Sequence, residues 1–399
     1  MTVMIDAAGI DFGSDELPDL HGVFRQLRSR GPYARTTYRG MPAVVLLTDE
    51  LVAAGFKDDE TFPAAAMYGL TTGPVMGKTL QCMSGQEHRT HRALVSGAFR
   101  RSLMQTYTAE LLEPIAHRLV DEFAARGTAD LTVEFTRRFP LQVTSALLGL
   151  PMADWPKFAQ WAHDLFFYPT DPEAAMRASE AFTEYLKPFV AEKRENPADD
   201  LVSRLVTAEI DGVRLTDEEI YVFTRLLFPA GVDTTYPSLG NLLWALLTHP
   251  EQLEQLRSEP EDIRWAVEEA MRWEPGPAIV PRIAPADVTW RGIEMSAGTW
   301  VLLAIAAANR DPAVYPDPDR FDIGRRAVAS VSFGNGPHVC LGQFLALAQL
   351  RTAVRVLLDR LPGLTLVEPE TVRIRGLLGT ELRGPSQLRV AFNAAELSA

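Results

Sequence analysis

The sequence has few cysteines and lacks a long apolar run at its N-terminus. Cys82 and Cys340 are the two cysteines in 399 residues, so we expect no disulfide framework and a free thiol at any cysteine that matters. The first twenty residues carry neither a basic leader with an apolar stretch behind it nor a segment that could span a bilayer. We therefore predict a cytoplasmic protein without a membrane anchor.

Positive charge is also scarce. The 39 Lys and Arg residues against 52 Asp and Glu residues give a net charge of -13, and such a field repels phosphate backbones, so we expect no nucleic-acid partner. The chain shows no repeat of fixed period and no Gly/Ser linker that would mark a domain boundary. We predict that residues 1–399 form a single domain.

Apolar periodicity predicts a mainly α fold with small β-sheets. Helical patterns dominate from Glu87 to Ala270. Strand-like runs occur at Tyr33 to Tyr38 and Ala43 to Leu47, and they return in Val288 to Ile305 and Leu364 to Phe392. The expected class is α+β, weighted heavily to α.

The strongest motif is a glycine-rich loop that leads into a helical pattern. It reads Phe333-Gly-Asn-Gly-Pro-His-Val-Cys-Leu-Gly342, and an amphipathic run follows it to Leu361. Gly334 and Gly336 allow a tight turn and the close approach of a flat ligand. Cys340 stands at a helix start, where unpaired N–H groups and the helix dipole favour a thiolate.

Other interpretations of Cys340 follow from the residue alone. An arbitrary cysteine at a helix start is most often a small buried hydrophobic residue. A zinc site with His338 lacks two further ligands at a recognisable spacing. A thiol hydrolase built from Cys340 and His338 is another alternative, and it would be colourless and react with iodoacetamide.

The loop resembles the haem-binding loop of the cytochrome P450 family at six positions: Phe333, Gly334, Gly336, His338, Cys340 and Gly342. The resemblance, to the soluble bacterial type, implies a single large domain of about a dozen helices. It also implies haem b (iron protoporphyrin IX) as cofactor, with Cys340 as the iron ligand and with Phe333, Gly334 and Gly342 at the haem.

A second motif, Ala230-Gly-Val-Asp-Thr-Thr235, lies in a long helical pattern that opens with a capping box from Thr216 to Glu219. Alone, such an Asp-Thr-Thr run is more often a solvated helix face or a cap. It resembles the oxygen-activating helix of the family, which implies that Asp233 and Thr234 are catalytic and deliver protons to bound dioxygen.

Two prolines flank this acid–alcohol pair. Pro229 and Pro237 each leave a helical carbonyl without its donor, at a cost of about 3 kcal/mol in a regular helix. We therefore expect a distorted helix at Asp233 and Thr234. The alternative is a pair of helices separated at Pro229.

Glu269 and Arg272 are neighbours on one helical face. Such a pair alone usually marks an exposed ion pair worth less than about 1 kcal/mol. Together with Pro316-Asp-Pro-Asp-Arg-Phe321, it resembles the buried charge triad of the family. This resemblance implies that Glu269, Arg272 and Arg320 are structural residues that hold the loop leading to Cys340.

Haem carries two propionates, which need cationic or hydrogen-bonding partners. His88 and Arg92 share one helical face, and without the family resemblance they would be an ordinary solvated face. They match the propionate-binding helix of the family, and Arg282 and His338 match its other two contacts. His91 points elsewhere on the same helix and is expected at the surface.

The resemblance implies a monooxygenase that inserts one atom of O2 into a hydrophobic or aromatic small molecule. We expect a monomer that receives electrons from a separate ferredoxin or flavodoxin with an NAD(P)H-dependent reductase, because the chain shows no flavin or iron–sulfur motif. Candidate contacts for this acidic carrier are Arg100, Arg101, Arg351 and Arg355. Apolar candidates for the substrate pocket, which would equally suit core packing, are Phe166, Phe167, Phe228, Ala230, Ile279 and Val280.

Two alternatives keep the haem. One is a peroxygenase or an isomerase or dehydratase that needs no external reductant, although the Asp233-Thr234 pair argues against it. The other is a non-catalytic haem sensor or carrier. Substrate-dependent oxidation of NAD(P)H in the presence of redox partners distinguishes them from a monooxygenase.

Overall fold

Helices make up most of the structure, a computed structural model that describes residues 9–326 and 330–394. The α-helices in these ranges are α1 Leu20–Arg28, α2 Asp49–Lys57, α3 Ala64–Thr71, α4 Gly73–Met76, α5 Gly85–Ser96, α6 Met104–Tyr107, α7 Glu113–Asp121, α8 Arg138–Leu148, α9 Trp155–Phe166, α10 Pro172–Glu195, α11 Leu201–Thr207, α12 Asp217–Asp233, α13 Thr235–Leu247, α14 Pro250–Ser258, α15 Ile263–Trp273, α16 Ile305–Ala308 and α17 Gln343–Arg360. Within the same ranges, no helix combines the length and the apolar character needed to cross a bilayer.

The strands are short and pair into small sheets. In the largest sheet the order is β1-β2-β9-β6, with β2 and β9 parallel and the other pairs antiparallel. The strands of the described residues are β1 Tyr33–Tyr38, β2 Met41–Leu46, β3 Thr128–Asp130, β4 Glu209–Ile210, β5 Val213–Arg214, β6 Val280–Ile283, β7 Val288–Trp290, β8 Ile293–Met295, β9 Trp300–Leu303, β10 Thr365–Leu366, β11 Ile374–Leu378, β12 Leu382–Pro385 and β13 Arg389–Ala391. The predicted class, mainly α with small sheets, is confirmed.

Local signals set the boundaries of the central helix and of the first hairpin. The capping box predicted for α12 is present: the Glu219 N–H donates to Thr216 Oγ1, and the Thr216 N–H donates to the Glu219 carboxylate. Between β1 and β2, Arg39 and Gly40 have φ angles of 50° and 75°, the left-handed pair of a type I′ turn. These two elements begin and turn where their sequences predict.

A cluster of aromatic rings packs α12 against α9 and α10. Phe228 of α12 is fully buried, and its ring centroid lies 5.9 Å from that of Phe158 in α9 and 5.7 Å from that of Phe182 in α10. The expectation that Phe228 lines a substrate pocket is therefore wrong. Residues two positions apart on a helix point in nearly opposite directions, so Phe228 enters the core whereas Ala230 faces away from it.

The same correction applies to Ile279, which precedes β6. Its side chain is buried in an apolar cluster that also contains Tyr38, Val45 and Leu302. Successive side chains of extended backbone alternate in direction, so the next residue, Val280, retains exposed surface. Ile279 is a core residue, and Val280 remains a candidate for the pocket.

Candidate functional site

The cysteine loop, Phe333 to Gly342, ends where α17 begins. Gly334 and Gly336 have φ angles of 72° and 73°, a region that residues with a Cβ atom rarely adopt. A Cβ atom on Gly336 would also come within 2.8 Å of the Phe56 carbonyl oxygen in α2. Glycine is therefore required here by the backbone conformation and by the close approach of α2, which together fix the loop.

Cys340 faces an enclosed opening. Its side chain has exposed surface, yet the surrounding protein desolvates the thiol and raises its pKa, against the opposing effects of the Gly342 N–H and of Arg92. Exposed surface and strong desolvation occur together where a group lines an internal cavity. The Gly342 N–H lowers the thiol pKa, in the direction expected at a helix start, but burial outweighs it, so a stable thiolate needs a bound cation.

The helix that carries the acid–alcohol pair is interrupted at Thr234, between α12 and α13. Pro229 lies inside α12 without ending it, and Pro237 in the first turn of α13 has no N–H to donate to the Asp233 carbonyl. Instead, Thr234 Oγ1 donates to the Ala230 carbonyl at 2.8 Å. The predicted distortion is confirmed, and the alternative break at Pro229 is wrong.

Ala230 and Thr234 share one face of this interrupted helix. Ala230 is exposed although the preceding Phe228 and Pro229 are buried, and Thr234, one turn further on, is partly exposed. The following helix, α13, packs against α17, which begins just after Cys340. The position of Ala230 suits a pocket residue.

Asp233 is buried beside the same interruption. Its side chain is 5% exposed, and within the described ranges its Oδ2 atom has no hydrogen-bond partner. Burial raises the pKa of Asp233 to about 7, and the nearby Arg137 opposes this rise. An acid whose pKa lies near neutrality can both give and accept a proton, as general acid–base chemistry requires.

Two imidazole rings meet beside the cysteine loop. The ring centroids of His88 in α5 and of His338 are 4.2 Å apart. Both Nε2 atoms are buried without a hydrogen-bond partner among the residues described; His338 Nε2 lies 3.3 Å from Asp59 Oδ1, outside hydrogen-bond geometry. Burial, followed by the charges of His338 and Arg92, lowers the pKa of His88 to about 4. An anionic ligand would satisfy these nitrogen atoms.

Two arginines, also expected at the propionates, add fixed positive charge. Arg92 in α5 donates from Nη2 to the Val339 carbonyl at 2.5 Å, next to the cysteine. Arg282 in β6 is buried, with its Cζ atom 5.9 Å from the Phe56 ring centroid and 5.8 Å from that of Tyr68. The desolvated thiol, the His88 ring with its unpartnered Nε2 atom, the adjacent His338 ring and these guanidinium groups together fit an iron centre that carries two carboxylates.

A buried ion pair on α15 holds the segment that precedes the cysteine loop. Arg272 donates to both carboxylate oxygens of Glu269 at 2.8 Å, and the two side chains are 1% and 2% exposed. The remaining N–H groups of Arg272 donate to the carbonyls of Asn309, Pro318 and Arg320. Every donor and acceptor of this pair that the structure describes is used within the protein.

The third member of this cluster is Arg325, and the expectation of Arg320 is wrong. Arg325 Nε donates to Glu269 Oε1 at 3.2 Å. The Arg320 side chain is 69% exposed and lies 3.6 Å from the Asp322 carboxylate. Arg320 contacts Arg272 through its backbone carbonyl instead. Two arginines five residues apart in an irregular segment cannot be distinguished by local pattern, so no sequence signal indicated Arg325.

His91 also differs from its expected surface position. Its ring is partly buried, with Nε2 3.0 Å from Glu219 Oε1 and Nδ1 2.9 Å from the Glu87 carbonyl oxygen. The residue thus links α5 to the first turn of α12. Because this partner is 128 positions away in the chain, helical spacing could not reveal the contact.

The remaining pocket candidates lie at the end of α9. Phe166 and Phe167 are partly exposed, with ring centroids 5.8 Å apart, and the Phe167 ring also lies 4.3 Å from that of His163. Both side chains retain exposed surface, whereas the Phe228 side chain is fully buried. They remain candidates for contact with a substrate.

A helical fold in which an enclosed cysteine lies near two packed histidine rings, Arg92 and the buried Arg282 is typical of a haem-thiolate protein. The chain belongs to the cytochrome P450 family, whose model matches residues 141–362. It is 40% identical to the mycinamicin IV hydroxylase/epoxidase of Micromonospora griseorubida, over 80% of this chain and 82% of the relative. It is 33% identical to the cytochrome P450 monooxygenase PikC of Streptomyces venezuelae, over 95% of this chain and 93% of the relative.

Solved structures agree with this assignment. The cytochrome P450 CYP109Q5 from Chondromyces apiculatus superposes with a TM-score of 0.88 at 30% identity, and the match covers 98% of this chain and 100% of that chain. Because the curated relatives are monooxygenases and hydroxylases, the chain is an oxidoreductase of the P450 monooxygenase type with a haem-thiolate cofactor.

The charge cluster predicts a difference between two neighbouring arginines. Replacing Arg325 with Gln leaves one oxygen of a buried carboxylate without its second charged donor, so we expect the free energy of unfolding to fall by about 1–3 kcal/mol. The matched control, Arg320→Gln, changes an exposed side chain and should have little effect. Urea denaturation followed by far-ultraviolet circular dichroism measures both, and equal losses would contradict the assignment of Arg325.

The buried acid predicts a stability that depends on pH. A carboxyl group with a raised folded-state pKa retains a proton that the unfolded chain releases, so the native protein loses stability as pH rises from about 4 to about 7. We expect Asp233→Asn to stabilise the protein, with an advantage that grows by about 2 kcal/mol from pH 5.5 to pH 8. Denaturation of both proteins at the two pH values measures this difference in the free energy of unfolding. A difference that does not change with pH would refute the raised pKa of Asp233.

Proposed function

We propose that this P450 inserts one oxygen atom from O2 into a hydrophobic or aromatic small molecule, with haem b as cofactor. The observation that carries the proposal is the Cys340 thiol, which faces an enclosed opening that desolvates it. In such surroundings the sulfur serves as an anionic ligand once a metal cation neutralises it. As an iron ligand, such a thiolate would supply electron density that favours reductive activation of dioxygen.

In this proposal the residues around the opening divide the binding of haem b between them. Cys340 Sγ would hold the iron, and the loop residues Phe333, Gly334 and Gly342 would contact the haem. Four side chains that carry positive charge or imidazole nitrogen would bind its carboxylates: His88, Arg92, Arg282 and His338. The haem supplies the binding and reductive activation of dioxygen.

Asp233 and Thr234 handle protons in the proposed reaction. The Asp233 carboxyl, with a pKa of about 7, gives a proton into the groove at the helix interruption. Thr234 Oγ1, which donates to the Ala230 carbonyl, would accept a hydrogen bond and so hold a proton donor at the helix interruption. The groove itself follows from Pro237, which leaves the Asp233 carbonyl without its helical donor.

We propose an uncharged, apolar substrate. The candidate contacts with exposed surface are Ala230, Val280, Phe166 and Phe167, and none of them carries charge. The mycinamicin IV hydroxylase/epoxidase, which is 40% identical, makes mycinamicin IV the first compound to test.

We propose that electrons come from a ferredoxin or flavodoxin served by an NAD(P)H-dependent reductase. Arg100 and Arg101 are exposed, whereas Arg351 and Arg355 already pair with Glu268 and Glu113. An acidic carrier would compete with these surface ion pairs, which are individually weak. The cytoplasmic location and the monomeric, single-domain state stay predictions from the sequence.

The two cysteines allow a matched test of the thiolate. We expect purified wild-type protein and Cys82→Ala to give the reduced-CO difference spectrum of a thiolate-ligated haem, because the Cys82 thiol lies in a different segment, in contact with Thr79 Oγ1 and the Gly77 carbonyl. Cys340→Ala should lose that spectrum while it retains its helical circular dichroism. An unchanged spectrum in Cys340→Ala would overturn the proposed function.

The acid–alcohol pair predicts uncoupled turnover. With a substrate and redox partners, we expect Thr234→Ala to consume NAD(P)H but to form about tenfold less product per NAD(P)H, with the difference released as hydrogen peroxide, because proton delivery contributes a factor of this size or more. Thr234→Ser keeps the hydroxyl and should retain most of the coupling. Product and peroxide are measured together, and full coupling in Thr234→Ala would contradict the role of the hydroxyl.

A further inference from the structure

Asp233 lies close to an exposed arginine and a tyrosine that the sequence did not mark as functional. Arg137 immediately precedes α8, and its guanidinium lies 5.5 Å from the ring centroid of Tyr236 in the first turn of α13. Arg137 is exposed and Tyr236 partly exposed, whereas Asp233 is buried. The three side chains thus extend from the protein surface to the interruption in the central helix.

The contact between α8 and α12 contains a second polar atom without a partner. Thr144 in α8 is buried, and its Oγ1 atom, like Asp233 Oδ2, has no hydrogen bond to any residue that the structure describes. A Cβ atom placed on Gly231 of α12 would lie 2.8 Å from this hydroxyl. Ordered water is the usual partner of buried polar atoms that lack one in the protein. Because Gly231 and Thr144 are in close contact, we expect water to reach Asp233 Oδ2 from the side of Tyr236.

We propose that Arg137 and Tyr236 form the solvent-side gate through which Asp233 regains a proton in each turnover. In this step the Asp233 carboxylate, formed when its proton has left toward Thr234, accepts a proton from water held at the Tyr236 hydroxyl, and bulk water replaces that proton. Arg137 stabilises the carboxylate while it is charged. The inference rests on the proposed oxygenase function, and it makes Arg137 and Tyr236 positioning residues.

The charges around Asp233 agree with such a gate. Arg137 is the charged group that acts on the Asp233 carboxyl, and it opposes the rise in pKa that burial causes. Burial raises the pKa of Tyr236 to about 12, so its hydroxyl keeps its proton at neutral pH and can both donate and accept a hydrogen bond. Within the described ranges, Arg137 forms no ion pair, so its charge remains available to Asp233.

The adjacent arginine differs in this respect. Arg138 donates two hydrogen bonds to the Glu122 carboxylate, at 2.6 and 2.9 Å, and lies over the Trp155 ring. Its charge is already paired and directed away from Asp233. Arg138→Gln is therefore the matched control: the same change of charge, one position along the chain, outside the proposed gate.

The first experiment measures the Asp233 carboxyl in the resting holoprotein. We expect the infrared C=O band of a protonated carboxylic acid to disappear in Asp233→Asn, which assigns the band, and to titrate near pH 7 in the wild type. In Arg137→Gln the midpoint should move to higher pH by about 0.5, because the carboxylate loses its cation. In Arg138→Gln the midpoint should equal that of the wild type. Equal midpoints in the two arginine variants would overturn the role of Arg137.

The second experiment measures proton delivery during turnover. In Tyr236→Phe the ring beneath Arg137 is kept and only the hydroxyl is lost, so we expect a solvent deuterium isotope effect on product formation at least about twofold larger than in the wild type, with lower coupling. Arg137→Gln should also show a larger isotope effect and lower coupling, whereas Arg138→Gln should match the wild type in both. Thermal denaturation of each variant excludes a general loss of structure.

The outcomes separate the two hypotheses. If Asp233→Asn remains fully coupled, the proton-delivery role in the proposed function fails. If Asp233→Asn uncouples while Arg137→Gln and Tyr236→Phe both behave like Arg138→Gln, the gate alone is wrong. A larger isotope effect in both gate variants, together with the shifted infrared midpoint in Arg137→Gln, supports it.

Discussion

The burial of the Cys340 thiol is the constraint on which the rest of the site depends. A desolvated sulfur keeps its proton, so it acts as an anionic ligand only when a metal cation is close. The same opening collects His88, His338 and Arg92, and the two imidazole Nε2 atoms are left without hydrogen-bond partners among the described residues. In these desolvated surroundings, a negative charge on the sulfur is unfavourable without a counter-charge. The same holds for positive charge on the neighbouring side chains. A ligand that joins a metal ion to carboxylates relieves both, which couples cofactor binding to the stability of the fold.

The buried Glu269–Arg272–Arg325 cluster and the buried Asp233 carboxyl differ in how completely their hydrogen bonds are satisfied. The Glu269–Arg272–Arg325 cluster is fully hydrogen-bonded, and it fixes the segment that leads to the cysteine loop. Asp233, in contrast, has an oxygen without a partner in the part of the chain that the structure describes. A satisfied buried network gives rigidity, whereas an unsatisfied acid whose pKa is raised to about 7 retains the capacity to exchange a proton.

The interruption at Thr234 arises from the local loss of a helical hydrogen bond. Pro237 removes a helical donor, and Thr234 Oγ1 replaces part of the lost bonding by donating to the Ala230 carbonyl. Phe228, two residues before Ala230, is meanwhile held in an aromatic cluster with Phe158 and Phe182. The helix is thus held on one face by aromatic packing, and its distortion is confined to the interruption at Thr234.

The sequence by itself determined the features that depend on neighbouring residues. These are the glycine-constrained cysteine loop, the capping box at Thr216, the proline-induced interruption and the strands of the first hairpin. Only the tertiary structure decided which side chains meet. Arg325 replaces Arg320 beside Glu269, Phe228 and Ile279 turn into the core, and burial raises the pKa of Cys340 against its helix start. The physical reason is that backbone conformation follows from local steric and hydrogen-bonding rules, whereas ion pairing, burial and desolvation depend on residues far apart in the chain.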